Sequence, residues 1–105
     1  MIELLALPGW KTSPLPLDAW VVQLRELGHA PTLLREDANA CWLEVGALRL
    51  RGYAVIEGGH LSAINFELAD PDPRPALHAI EAAALALGWE VYPDEPGEED
   101  DLDED

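Results

Sequence analysis

The chain has 105 residues, a common length for one domain, and 49% of them are apolar, which is enough for a hydrophobic core. Its formal net charge is −15, from 21 acidic residues against 6 Lys and Arg. This charge argues against direct binding to nucleic-acid phosphates or anionic membranes, and it favours either a basic protein partner or a role in solubility alone.

The first two predicted elements are a strand and an amphipathic helix. Residues 2–7 form a short apolar run stopped by Pro8, which indicates an edge or first strand. Apolar residues then recur at helical spacing over residues 17–27, and Gly28 supplies a left-handed stop. This segment is therefore predicted to be a helix, with Trp20 on its buried stripe.

A β-rich block is predicted between the helices. Residues 31–35, 41–45 and 61–68 have strand character, and residues 48–56 form either one bent strand with a bulge at Gly52 or two strands. Gly46-Ala47 and Gly58-Gly59 predict tight hairpins. The strand at residues 61–68 alternates apolar and polar side chains, which indicates an antiparallel sheet with one face in water.

A second helix and a last strand follow. Asp72 is predicted as the N-cap, Pro73 as the first helical residue and Gly88 as the stop, with a strand at residues 89–92. The order β-α-β-β-β-β-α-β predicts an α+β fold, an antiparallel sheet with two helices packed on one face. This order is reminiscent of the ferredoxin-like split βαβ plan with extra central strands.

The C-terminal segment is almost wholly acidic. Residues 94–105 hold nine of the acidic residues and no base, so the remainder of the chain has a net charge of −6. Because the segment has almost no apolar surface to bury, it is predicted to be a disordered tail after a single domain at residues 1–93. Its candidate contacts to a basic partner are Asp94, Glu95, Glu98, Glu99, Asp100 and Asp101.

No residues show the spacing of a catalytic, metal or cofactor site, so none of these is predicted. The histidines at 29, 60 and 78 lack metal-ligand spacing, and His60 is the least crowded because two glycines precede it. Cys41 is the lone cysteine, which rules out an internal disulfide and favours a buried thiol in a reducing compartment.

Tryptophans and arginines are the remaining candidates for binding. Trp10, in a proline-bordered loop, and Trp42, on a strand, are credible partner anchors, unless each only covers one end of a small core. Three arginines are predicted to gather on the sheet: Arg35, Arg49 and Arg51. They would form either an anion site or, more in keeping with strand pairing, ion pairs with acids such as Glu44.

The resulting functional prediction is a small non-catalytic protein-binding module that engages a basic partner, as an inhibitor, an immunity protein or an adaptor. The alternative is a regulatory domain with a small-molecule pocket. A small enzyme ranks third, because a general acid or base needs a positioned partner. The lone cysteine, the lack of a basic signal region and the lack of an apolar run of about 20 residues predict a cytoplasmic protein.

Overall fold

The computed structural model of the chain describes residues 2–10, 12–37 and 39–93. Within these residues the order of elements is the predicted β-α-β-β-β-β-α-β. The strands are β1 (Ile2–Pro8), β2 (Thr32–Asp37), β3 (Ala40–Val45), β4 (Leu50–Glu57), β5 (His60–Leu68) and β6 (Trp89–Pro93), and the helices are α1 (Asp18–Glu26) and α2 (Arg74–Leu87). The predicted acidic tail at residues 94–105 lies outside the described residues.

The strands form one antiparallel sheet in the order β2-β3-β4-β5-β1-β6. Strands β2 to β5 are neighbours in sequence and in space, as expected for short turns. β1 is the first strand but not an edge, because it pairs with β5 on one side and β6 on the other. β5 and β6 therefore run parallel to each other, with β1 between them and α2 connecting them.

One face of the sheet carries the core. Its buried residues alternate along the strands, as with Leu43 and Val45 on β3. Trp20 of α1 is fully buried as predicted, and its ring centroid lies 5.4 Å from that of Phe66 and 5.6 Å from that of Trp89. The buried stripe of α2 joins the same core: Ala76, Ala79, Ile80, Ala83 and Ala84. Both helices thus pack on this face, and the described residues place no helix on the other.

β4 is one continuous strand, and Gly52 is not a bulge. A Cβ at position 52 would lie 2.8 Å from Cε1 of Phe66 and 2.9 Å from Cγ2 of Ile64, so these two core side chains approach the backbone too closely for any side chain at position 52. The register shift between β4 and β5 falls at Val55 and Ile56 instead.

The two predicted turns differ in their outcome. Gly58 and Gly59 have φ of 61° and 82°, which is the two-residue hairpin predicted from the glycine pair. The predicted tight hairpin at Gly46-Ala47 is instead a longer connection, the 3₁₀ turn Gly46–Leu48 followed by Arg49 at φ 50°. β4 consequently begins two residues later than predicted.

The N-cap prediction for α2 is wrong by one residue. Pro73 occupies the N-cap position with helical dihedral angles, and no side-chain cap closes the helix. Asp72 still accepts hydrogen bonds from the backbone N–H of Arg74 at 3.3 Å and from its Nε at 2.8 Å. The guanidinium of Arg74 thereby lowers the pKa of Asp72, and the same contact raises the pKa of Arg74.

Candidate functional site

The sheet face opposite the helices, called the open face below, carries one continuous row of side chains. Each strand contributes one member, because the pairing register places these residues side by side from β2 to β6: Leu34, Trp42, Tyr53, Asn65, Leu5 and Tyr92. We call this set the cross-strand row. Neighbouring strands lie about 4.8 Å apart, so the row extends about 24 Å across the sheet.

The two ends of the cross-strand row and the inner member Asn65 are exposed to solvent, and the other three members are half-buried. Leu34 is 60% exposed on the edge strand β2, and Tyr92 is 44% exposed on the edge strand β6. Trp42, Tyr53 and Leu5 are half-buried, because they lie between neighbouring side chains on the same face. The row is therefore an accessible surface of aromatic and aliphatic groups with one amide.

Trp42 and Tyr53 are neighbouring aromatic members of the row. Their ring centroids are 4.9 Å apart with an interplanar angle of 63°, an edge-on arrangement. The indole N–H of Trp42 donates a hydrogen bond to Oε2 of Glu36 at 2.9 Å. The guanidinium carbon of Arg51 lies 4.2 Å from the Trp42 ring centroid, which is cation–π geometry. These contacts hold the indole in one orientation on the face.

A second row of charged residues lies beside the first. The register places Glu44 opposite Arg51, Arg51 opposite Glu67, and Glu67 opposite Glu3. These four residues, called the carboxylate row below, are two positions along the strands from the cross-strand row, or about 7 Å. The open face therefore combines an apolar row with an anionic one.

The charges in the carboxylate row are not balanced pair by pair. Nε of Arg51 lies 3.4 Å from Oε2 of Glu44, so this arginine is drawn to β3. Glu67 and Glu3 then face each other directly across β5 and β1. Like charges directly opposite each other destabilise a sheet, so this pair is unfavourable for the pairing of β5 with β1.

Tyr92, at the β6 end of the cross-strand row, has an altered ionisation. Its hydroxyl donates a hydrogen bond to Oε1 of Glu90 on the same strand. This bond raises the pKa of Tyr92, and the nearby carboxylate charge acts in the same direction.

The structure separates the two tryptophans predicted as anchors. Trp42 is the second member of the cross-strand row, on β3, whereas Trp10 is 85% exposed in the turn after β1 and is not part of the row. The predicted acidic contacts Asp94, Glu95, Glu98, Glu99, Asp100 and Asp101 lie outside the described residues. Cys41 is free and fully buried, as predicted.

The three arginines predicted to gather on the sheet do not do so. Arg51 lies on the open face, while Arg35 is in register with Cys41 and so belongs to the helix-covered face. Arg49 is in a left-handed turn and does not continue the alternation of β4. The predicted pairing with Glu44 is confirmed for Arg51.

The histidines lie on separate elements, with His60 and His78 exposed and His29 half-buried. Within residues 2–10, 12–37 and 39–93, no group of three His, Cys, Asp or Glu residues is arranged to hold a metal ion. No helix among the same residues has the length and hydrophobicity needed to span a membrane.

Most members of the two rows were not identified from the sequence. The period-two alternation signalled that one face of β5 meets water, but the rows depend on the register between strands, which single-strand patterns do not contain. Comparisons of the chain with protein-family models, curated proteins and solved structures found no match.

Proposed function

We propose that the chain is a non-catalytic protein-binding module whose open face receives a basic protein partner. The observation that carries this proposal is the cross-strand row on a sheet face that bears no helix. Isolated exposed apolar residues are ordinary, but a contiguous set of them marks an interaction site. Tryptophan and tyrosine are also the residues that most often anchor protein interfaces.

Charge supports a basic partner in particular. The net charge is −15, and the open face contributes Glu3, Glu44 and Glu67 beside the apolar row. Such a surface accelerates the approach of a positively charged protein and repels anionic ones, including nucleic acids. An inhibitor, an immunity protein or an adaptor is the kind of binding module that these features fit.

Two further points belong to this proposal. A cytoplasmic location fits the single free, buried thiol of Cys41.

A relationship to the ferredoxin-like plan is supported by the split βαβ unit of β5, α2 and β6 around β1, with the other strands added on the far side of β5.

The proposal is tested by affinity capture of a partner at low and high salt, using the full chain and two lysine variants. Leu34→Lys places a positive charge on the cross-strand row, whereas Leu85→Lys places it on an 83% exposed position of α2. We expect one basic protein to be captured at low salt, released at high salt, lost with Leu34→Lys and retained with Leu85→Lys. Binding of the purified partner to each variant then gives the dissociation constants.

Two outcomes would contradict the proposal. Failure to capture a basic protein at either salt concentration would argue against a basic partner. Equal loss with Leu34→Lys and Leu85→Lys would show that net charge, and not the open face, governs binding.

A further inference from the structure

We propose that the open face recognises an arginine side chain of the partner, and that Arg51 occupies this guanidinium site in the free protein. The inference rests on the proposed function and specifies the partner's chemistry at the same site. It follows from the contacts of Arg51, from the carboxylates on both sides of it, and from its exposure.

The contacts of Arg51 define the guanidinium site. Its guanidinium lies over the Trp42 ring at 4.2 Å and pairs with Glu44 at 3.4 Å. Glu36 binds the indole N–H at the edge of the ring, so this bond does not occupy the ring face that Arg51 covers. A planar, delocalised cation can stack on the ring and bind the carboxylate together, which a compact lysine ammonium does less well.

A second carboxylate, that of Glu67, is also paired in register with Arg51. β4 lies between β3 and β5, so Arg51 is directly opposite Glu44 on one side and Glu67 on the other. If Arg51 turned from Glu44 to Glu67, the Trp42 ring and Glu44 would become available to an incoming guanidinium. The same movement would place a positive charge beside the opposed carboxylates of Glu67 and Glu3.

Replacement of Arg51 by a partner's guanidinium at this site requires little change in the fold. The side chain of Arg51 is about half exposed, as is that of Glu44. Ion pairs this accessible to water contribute little to stability, so displacing one leaves the sheet intact. The surface also keeps its charge balance, because each guanidinium still faces a carboxylate after the exchange.

The test compares two variants of the full chain that lose the same charge two residues apart. Arg51→Gln empties the proposed guanidinium site, and Arg49→Gln changes an exposed residue in the turn before β4. The probes are two capped ten-residue peptides of equal charge, one alternating Leu with Arg and the other Leu with Lys. The measurements are dissociation constants by calorimetry and the NMR shift of the Trp42 indole N–H.

The arginine peptide should bind more tightly than the lysine peptide and should shift the Trp42 indole signal. Removing the internal competitor should tighten arginine-peptide binding by about 3- to 10-fold in Arg51→Gln, from the range of cation–π energies. Arg49→Gln should change it by less than about twofold, because an exposed charge away from the guanidinium site acts only through screened solvent.

Equal effects of Arg51→Gln and Arg49→Gln, or equal affinity for the two peptides, would overturn the inference. The proposed function would survive that result if the captured partner still failed to bind Leu34→Lys. If the peptides also left the Trp42 signal unchanged and the partner bound Leu34→Lys normally, the open face would not be the binding surface at all.

Discussion

Gly52 leaves room for two core side chains to pack directly against the backbone of β4. Its backbone lies against the ring of Phe66 and a methyl group of Ile64, both of which are buried. Any Cβ at this position would enter space that the core already fills. The glycine therefore permits Phe66 to reach the ring of Trp20 across the sheet–helix interface.

A methyl group at position 52 should be costly because the side chains that it would meet, Phe66 and Ile64, are buried in the core. We expect Gly52→Ala to lower the free energy of unfolding by about 1–3 kcal/mol, the range for overpacking in a filled core. Gly46→Ala is the matched control, since nothing lies within 4 Å of a Cβ there. Urea denaturation of both variants checks this, and equal stability of the two would contradict the packing account.

Residue burial was predictable wherever one local pattern determined it. Trp20 lies on a helical stripe and Cys41 is a lone thiol, so their burial followed from the sequence and is confirmed. Gly52 was different, because its role depends on Phe66 from another strand. The side-by-side placement of Trp42 and Tyr53 likewise exists only once β3 and β4 are in register.

Among the elements, β2 stands apart from the other strands. Each of its six residues is exposed, and it pairs with β3 alone. The opposite edge strand, β6, is anchored by the buried Trp89. β2 thus presents Leu34 to solvent at the end of the cross-strand row while contributing little to the core.

The amides of β2 should exchange with solvent faster than those of β4 and β5. Local opening is easiest where few apolar contacts are lost, and β2 has no buried side chain while β4 and β5 form the middle of the core. Native-state hydrogen exchange followed by NMR measures this directly. β6, an edge strand with an anchor, is the control and should show intermediate protection, whereas uniform protection of all strands would refute the ranking.

The elements were largely predictable and their arrangement was not. Helical periodicity, glycine stops and hairpin glycines located both helices and the order of strands. The position of β1 between β5 and β6 depends on pairs such as Ile2 with Leu68, which are far apart in the sequence. No local pattern encodes such a contact, so an inner position for β1 could not be inferred.

For the whole molecule, the net charge and the open face both support the proposal of a basic protein partner. The net charge of −15 acts at long range and speeds the encounter with a cation-rich surface. In the proposed function, the open face supplies the short-range contacts, through Trp42 and Tyr53 in the cross-strand row and Glu67 in the carboxylate row. Electrostatic steering governs the association rate and its salt dependence, whereas apolar contacts govern the dissociation rate.

The most direct test of this account is chemical-shift mapping of the full ¹⁵N-labelled chain as the captured basic partner is added. We predict the largest changes at the Trp42 indole N–H and at the backbone amides of Tyr53, Asn65 and Leu5, with α1 and α2 nearly unchanged. Changes confined to the helices, or to residues 94–105, would contradict the claim that the open face is the binding surface.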